Sequence, residues 1–127
     1  MNYWELPPDL RKEVDLFRFK TELRVRFAET DAQGVVYNGA FLSYLDVARG
    51  EYDRNLQLWR ADAPGQWWDG THASTDIRYI TSPRFDDVLT MYVRCAWMRE
   101  RSSGFAYLIF NESTGALVAR AETAHVA

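Results

Sequence analysis

Asp31 is the residue of this sequence best placed for acyl-transfer chemistry. It lies within residues 26–41, on a glycine-containing turn between a strand-like segment and the longest helix-like segment. The first N–H groups of a helix have no partner inside the helix, and the helix dipole favours negative charge there. A carboxylate beside a helix start therefore puts a base or nucleophile next to an oxyanion site. The alternative is structural, because Asp also caps helices and closes turns.

Two patterns that flank this turn predict the elements that position it. Residues 20–28 alternate between apolar and charged side chains, with Val25 and Phe27 on the apolar face, which predicts a half-buried strand. Apolar residues then recur every three or four positions over residues 38–58 and predict the central helix. Gly50 lies inside that helix, where it is unfavourable, so we expect close packing to compensate.

The rest of the chain predicts one more helix and four more strands. Residues 1–18 are amphipathic after two prolines and predict a short N-terminal helix. The four strands are predicted at residues 71–80, 87–100, 103–111 and 116–126. Residues 59–70 predict a loop whose Trp67 and Trp68 line a ligand pocket or lie between subunits. This order predicts an α+β fold in which an antiparallel sheet packs on one helix.

Composition and charge narrow the class of protein. A chain of 127 residues fits a single domain with its own core. The net charge of −3 gives no broad basic field and argues against nucleic acid as a partner. Cys95 is the single cysteine, and no Cys/His cluster has zinc-site spacing, so neither a disulfide framework nor a metal site is predicted. Without a signal-peptide core or a membrane-length apolar run, we expect a cytoplasmic protein.

Three segments carry a resemblance to a known family. The motif Asp-x-x-Gly-Val-Val-Tyr-Asn occupies residues 31–38, and Ala-Arg-Gly-Glu follows at residues 48–51. Residues 76–89 add a Tyr and a Pro before an Asp that opens the next strand. Together these segments resemble the 4-hydroxybenzoyl-CoA thioesterase family of acyl-CoA thioesterases, which has the hotdog fold. The resemblance covers residues 20–127 and leaves residues 1–18 as an N-terminal extension.

The resemblance implies a fold, an assembly and two catalytic residues. A hotdog domain has an antiparallel five- or six-stranded sheet wrapped around one long central helix. Subunits join their sheets, so we expect a homodimer or homotetramer with active sites at the subunit interface. Asp31 matches the catalytic Asp, which acts as a general base on water or as a nucleophile. Asn38 matches the residue whose backbone N–H faces the thioester oxygen. This hydrolysis needs no metal or redox cofactor.

The remaining candidate residues are contacts for the substrate. Gly34, Val35 and Tyr37 are candidate substrate contacts, although for Tyr37 packing at the edge of the core is the more common role. Arg84 and Arg101 are candidate contacts for the CoA phosphates through charge-assisted hydrogen bonds. The alternative is that both arginines are solvated residues at strand ends. For Glu51 we expect a structural role, in a pair with Arg49 or with a neighbouring subunit.

The predicted function is hydrolysis of an acyl-CoA thioester to a free acid and the CoA thiol. An acyl-carrier-protein thioesterase and a non-catalytic acyl-thioester binding protein are the alternatives. A hotdog dehydratase or hydratase would need a His-centred acid/base pair, and no His lies near Asp31 in the sequence. A Gly-x-Ser-x-Gly motif is also absent, which argues against an α/β-hydrolase.

Overall fold

The structure, a computed structural model, describes residues 1–57 and 71–126. Its helices are α1 (Pro8–Val14) and α2 (Ala40–Asn55), and its strands are β1 (Phe19–Arg24), β2 (Thr71–Tyr79), β3 (Val88–Met98), β4 (Ser102–Asn111) and β5 (Leu117–Val126). The predicted loop over residues 59–70, with Trp67 and Trp68, lies outside the described residues.

The five strands form one antiparallel sheet in the order β1-β3-β4-β5-β2. Strands β3, β4 and β5 follow one another through hairpins, because the chain between them is only a few residues long. β1 lies at one edge and β2 at the other, next to the last strand of the chain. The predicted α+β architecture, an antiparallel sheet with one long helix against it, is confirmed.

The main core lies between α2 and one face of the sheet. Phe41, Tyr44 and Ala48 are buried at helical spacing and give α2 one apolar face. Alternate residues of the strands supply the other side of this core: Leu89, Met91, Val93, Phe105, Tyr107 and Ile109. Burial of each large apolar side chain is worth roughly 1.5–3 kcal/mol, so this interface holds α2 against the sheet.

The N-terminal extension covers the opposite face of the sheet. Val14 of α1 is buried against Tyr92, Leu108 and Phe110, which point away from α2. The Arg120 guanidinium also donates to the Glu13 carboxylate at 2.9 Å. Strand β4 is therefore buried on both faces, with α2 on one side and residues 1–17 on the other.

The predicted first strand is too long. β1 ends at Arg24, and residues 27–29 form a turn of 3-10 helix on which Phe27 is exposed rather than buried. The Glu29 carboxylate causes this change, because it accepts from the N–H of Arg26 at 2.8 Å and so closes the turn. Val25 keeps the strand geometry, since its N–H donates to the carbonyl of Asp87 at 2.8 Å.

The central helix also differs from its prediction in two ways. It begins at Ala40, so Asn38 precedes it by two residues, and it ends at Asn55 rather than residue 58. The expected close packing at Gly50 is not found among the residues that the structure describes. Among the described residues, a Cβ placed there would have only the Arg54 guanidinium within 4 Å, at 3.5 Å.

Candidate active site

Asp31 and Val35 close a tight loop. The N–H of Asp31 donates to the carbonyl of Val35 at 2.9 Å, and the N–H of Gly34 donates back to the carbonyl of Asp31 at 2.9 Å. Thr30 and Val36 pair just outside this loop. Gly34 has a φ of +78°, a conformation that costs energy for any residue with a Cβ. The sequence folds into this loop because Gly34 allows the turn.

The Asp31 carboxylate closes its own turn. Its Oδ1 accepts from the N–H of Gln33 at 2.8 Å and more weakly from the N–H of Val35 at 3.4 Å. Nothing in residues 1–57 or 71–126 hydrogen-bonds to Oδ2, and the side chain is exposed. The turn-closing interpretation is therefore correct, whereas Asp31 does not cap α2, which has no side-chain cap. One oxygen holds the turn and the other remains available for chemistry.

The start of α2 leaves two backbone donors unused. The N–H groups of Ala40 and Phe41 donate to the carbonyls of Tyr37 and Asn38, at 3.0 Å and 3.2 Å. The preceding N–H groups, those of Asn38 and Gly39, have no acceptor within the described part of the chain. Unpaired N–H groups at the positive end of a helix dipole suit a developing oxyanion.

A buried carboxylate, Glu29, ties the loop to the helix. Glu29 accepts from the Arg26 guanidinium and from the hydroxyl of Tyr44 at 3.0 Å, and its backbone carbonyl accepts from the N–H of Tyr37 at 3.2 Å. Burial by itself would raise the pKa of Glu29, but the hydrogen bonds from Arg26 and Tyr44 and the Arg26 charge hold that pKa below its usual value. Burial, and then the bond to Glu29, raises the pKa of Tyr44, which stays protonated as a donor.

Sequence reasoning missed this link. Glu29 lies two residues before Asp31, and Tyr44 widens the apolar stripe of α2, but nothing in the sequence pairs the two side chains. Their separation of fifteen residues spans a turn and a loop. The available signal was an acidic residue at a position of the apolar face, because Glu29 continues the alternation of Val25 and Phe27 and is buried in the structure.

The structure brings most of the predicted substrate contacts together. Val35 pairs with Arg84, and the Arg84 guanidinium would lie 3.9 Å from a Cβ at Gly34. Tyr37 is exposed, which disfavours the core-packing interpretation. The hydroxyl of Tyr79, at the end of β2, donates to the carbonyl of Asn38 at 3.3 Å. The Asp31 loop therefore lies next to the start of α2 and to the segments that carry Tyr79 and Arg84.

Arg101 is the exception. It follows β3 in the turn that leads to β4, whereas the other end of β3, at Val88, pairs with Arg24 just before the Asp31 loop. Ten residues of strand separate these ends, which is about 33 Å at the rise of a β-strand. Within one subunit, Arg101 and Asp31 are therefore at opposite ends of the sheet.

The charged side chains of α2 pair differently from the prediction. Glu51 accepts from the guanidinium of Arg54 at 2.7 Å, whereas Arg49 donates to Asp53 at 3.1 Å. Of the two partners expected for Glu51, Arg49 is therefore wrong, and a neighbouring subunit stays a prediction. Residues three or four apart face each other on a helix, whereas residues two apart do not.

A groove of about 520 Å³ runs from the first turns of α2 between this helix and strands β2 and β5. Its apolar part is formed by Leu42 and Leu45. Farther along lie the polar groups of Asp46, Arg49, His72, Ser74, Thr75, Thr123 and His125. Leu42 is one turn from Asn38, so the groove opens next to the unpaired N–H groups.

The two histidines and the cysteine lie away from Asp31. His72 hydrogen-bonds to Thr75, and His125 lies 3.1 Å from the hydroxyl of Thr123. Cys95 is half-buried in β3, where its Sγ donates to the carbonyl of Trp97 at 3.4 Å. In the described residues, no group of three or more His, Cys, Asp or Glu side chains is arranged to hold a metal ion. No helix there is long and apolar enough to cross a membrane.

Comparison with known proteins gives consistent matches. Residues 25–127 match a family model described as the thioesterase-like superfamily. The chain is 28% identical over 102 residues to a putative esterase from Aquifex aeolicus, covering 80% of this chain and 78% of that protein. It is 27% identical over 93 residues to the acyl-CoA thioester hydrolase YbgC of Escherichia coli, covering 73% and 69% of the two chains.

The fold has close counterparts among solved structures. Against the crystal structure of DHNA-CoA thioesterase from Staphylococcus aureus, the TM-score is 0.77 and the identity 28%, with 84% of this chain and 71% of that chain covered. A crystal structure of a hypothetical protein from Aquifex aeolicus gives a TM-score of 0.72 at 28% identity, with 86% and 98% covered. The predicted hotdog fold is confirmed.

Proposed function

Because the chain belongs to the thioesterase-like superfamily and is a thioester hydrolase, we propose that it cleaves acyl-CoA into a free acid and the CoA thiol. One observation carries the proposal. A single closed segment presents the exposed carboxylate of Asp31 and, a few residues later, the unpaired N–H groups of Asn38 and Gly39. The family resemblance gives Asp31 and Asn38 the catalytic roles that this arrangement suits.

In the simplest mechanism, Asp31 is a general base. Its carboxylate takes a proton from a water molecule while the water oxygen attacks the thioester carbonyl carbon. The carbonyl oxygen becomes an oxyanion that accepts from the N–H of Asn38, and one such donor is typically worth about 3–4 kcal/mol of barrier. The tetrahedral intermediate then collapses, the C–S bond breaks, and the thiolate takes up the proton.

In the alternative mechanism, Asp31 is the nucleophile. Its oxygen attacks the carbonyl carbon and expels the thiolate, which leaves an acyl anhydride on Asp31, and water then hydrolyses the anhydride. Single turnover in ¹⁸O-labelled water identifies the nucleophilic mechanism when the label enters Asp31. Attack of the labelled water on the Asp31 carbonyl of the anhydride leaves the label in the enzyme, whereas a general base never acquires it.

Asp31→Asn tests the catalytic role directly. Asn keeps an oxygen that accepts from the N–H of Gln33, so the turn is retained while the charge is lost. We expect kcat for acyl-CoA hydrolysis to fall by about 10²- to 10⁴-fold, the usual contribution of a positioned base, in a protein with unchanged thermal stability. A folded Asp31→Asn variant with wild-type turnover would refute the assignment.

We also propose how the substrate lies. The thioester sits over Gly34 and Val35, with Tyr37 beside it and Arg84 toward the CoA phosphates. The acyl group extends from Asn38 along α2 into the groove that begins at Leu42 and Leu45. Arg101 reaches the same substrate only from a second subunit, which fits the expected homodimer or homotetramer.

The remaining predictions from the sequence stay proposals with their own tests. A cytoplasmic location is one of them. Acyl-carrier-protein thioesters are the alternative substrates, and a thiol-release assay with acyl-CoA and with acylated carrier protein decides between them. A non-catalytic binding protein would hold acyl-CoA without releasing thiol.

Hydratase chemistry is disfavoured, because His72 lies seven strand residues, about 23 Å, from Tyr79, whose hydroxyl contacts Asn38.

A further inference from the structure

Two exposed phenylalanines form an aromatic surface next to the Asp31 loop. Phe27 is 76% exposed and Phe85 is 54% exposed. Their ring centroids are 5.8 Å apart and the rings meet edge to face at 83°. Phe27 precedes Asp31 by four residues, and Phe85 follows Arg84, which pairs with Val35 of the loop. This aromatic surface, defined as Phe27 and Phe85, is thus attached to both sides of the candidate site.

The backbone beneath the aromatic surface is held in place. The turn that carries Phe27 is closed by Glu29, whose carboxylate is buried and bonded to Arg26 and Tyr44. The segment that carries Phe85 is fixed on both sides, because the N–H of Arg84 donates to Asp87 Oδ2 at 2.9 Å and the N–H of Asp86 donates to the carbonyl of Val25 at 3.0 Å. Two large apolar rings are therefore presented to solvent by a preorganised backbone.

Of the arginines near the aromatic surface, Arg24 and Arg26 are paired with carboxylates and Arg84 is not. Arg24 donates to Asp86 Oδ1 at 3.2 Å, and Arg26 is paired with Glu29. The carboxylate of Asp87 is engaged by the backbone of Arg84 and by the Asn111 amide at 2.8 Å. Among the described residues, no acceptor pairs with the guanidinium of Arg84.

We propose that the aromatic surface and Arg84 bind the adenine nucleotide of CoA. The proposal rests on the proposed function, because it assigns a place to the part of acyl-CoA that takes no part in the reaction. Adenine is a flat π-system that stacks on an aromatic side chain, and the phosphates beside it suit a guanidinium without another partner. Phe85 follows Arg84, which pairs with Val35, and Asn38 comes three residues after Val35.

The test compares one acyl group on two thiols. Acyl-CoA carries the nucleotide, and acyl-pantetheine lacks it. We expect Phe27→Ala and Phe85→Ala each to raise KM for acyl-CoA roughly 10-fold at unchanged kcat, the effect of losing one base-stacking contact. Arg84→Gln has the same effect on acyl-CoA. Kinetics with acyl-pantetheine stay as in the wild type for Phe27→Ala and Phe85→Ala.

Two variants serve as matched controls. Phe85→Tyr keeps a ring at the same position and retains the wild-type KM for acyl-CoA. Trp4→Ala removes an exposed aromatic side chain, 78% exposed, from the N-terminal extension, and we expect neither substrate to be affected.

Three results would overturn the proposal. The first is an equal loss with both substrates, which would mean that the phenylalanines shape the loop. The second is no change with either substrate. The third is a change of oligomeric state in Phe27→Ala or Phe85→Ala, measured by light scattering, which would make a second copy of the chain the occupant.

Titration of CoA itself keeps this test separate from that of the proposed function. Calorimetry with wild type and with Phe85→Ala needs no turnover, and we expect the variant to bind CoA about 10-fold more weakly. If Asp31→Asn kept its activity, the catalytic assignment would fail while the nucleotide site stood. Equal CoA affinity in wild type and Phe85→Ala would remove the nucleotide site and leave the catalytic assignment intact.

Discussion

Glu29 makes the stability of this protein depend on pH. Its native pKa lies below the ordinary value, so ionised Glu29 stabilises the fold at pH values above its unfolded-state pKa of about 4.3. That contribution is lost as the pH falls through the lower native pKa, where the carboxylate becomes protonated in the folded state as well. Its partners Arg26 and Tyr44 stay protonated throughout this range.

Glu29→Gln should therefore destabilise the protein at neutral pH and much less at low pH. We expect a loss of about 1–3 kcal/mol in the free energy of unfolding at pH 7, since hydrogen bonds to a charged group are removed. Urea denaturation at a series of pH values from 7 to well below 4 measures the difference, because the contribution is lost only below the native pKa of Glu29. Glu51→Gln, at an exposed pair with Arg54, is the matched control and should change stability little. A pH-independent loss in Glu29→Gln would contradict this role for the charge.

Replacement of glycine by alanine should have opposite effects on stability at positions 34 and 50. Gly34 has a φ of +78°, so Gly34→Ala should cost about 1–2 kcal/mol and lower kcat by displacing the Asp31 loop. Gly50 lies in α2 with an ordinary 3.5 Å distance from a Cβ to the Arg54 guanidinium. Gly50→Ala should thus stabilise the protein by about 0.5–1 kcal/mol at unchanged kcat. Thermal unfolding and steady-state kinetics of both variants test this prediction. A change in stability of the same sign in Gly34→Ala and Gly50→Ala would contradict it.

Elements with strong periodicity were predictable from the sequence, and their ends were not. The alternation from Leu89 to Trp97 predicted β3, because one face of a strand must match a core. The same alternation through Val25 and Phe27 failed, since the hydrogen bonds of Glu29 favour a turn there over continued pairing. Side-chain bonds of this kind depend on tertiary placement, which periodicity does not report.

The N-terminal helix is an element with a testable structural role. Val14 is buried against the face of the sheet opposite α2, so Val14→Ala should lower the free energy of unfolding by about 2 kcal/mol. Activity should be unchanged below the melting temperature, because the cluster that buries Val14 contains no residue of the Asp31 loop or of α2. Leu16→Ala removes an exposed apolar side chain two residues later and should have little effect. A loss of kcat in folded Val14→Ala would show that α1 supports the site.

At the scale of the whole molecule, some residues of the candidate site are close together in the sequence and others are far apart. Asp31 and Asn38 were found from the sequence because one short motif contains both. The contact of Phe27 with Phe85 was not, since it joins segments more than fifty residues apart. Arg101 was placed with Arg84 by residue type alone, and the fold separates Arg101 from Asp31 by the length of β3.

This separation predicts that inactive subunits complement each other. If Arg101 acts on a substrate held by Asp31 of a partner, a mixed dimer of Asp31→Asn and Arg101→Gln contains one site with both native residues. Random pairing makes about half of the dimers mixed, so co-expression should restore about a quarter of wild-type kcat/KM, measured at low acyl-CoA concentration.

Arg84 supplies the control for this experiment. It pairs with Val35 in the same loop as Asp31, so both residues always come from one subunit. A mixed dimer of Asp31→Asn and Arg84→Gln has no site with both native residues and should show only the average of its parents. If the Arg101 mixture also gave only that average, Arg101 would have no part in a shared site. Recovery in the Arg101 mixture alone would place the site between two subunits.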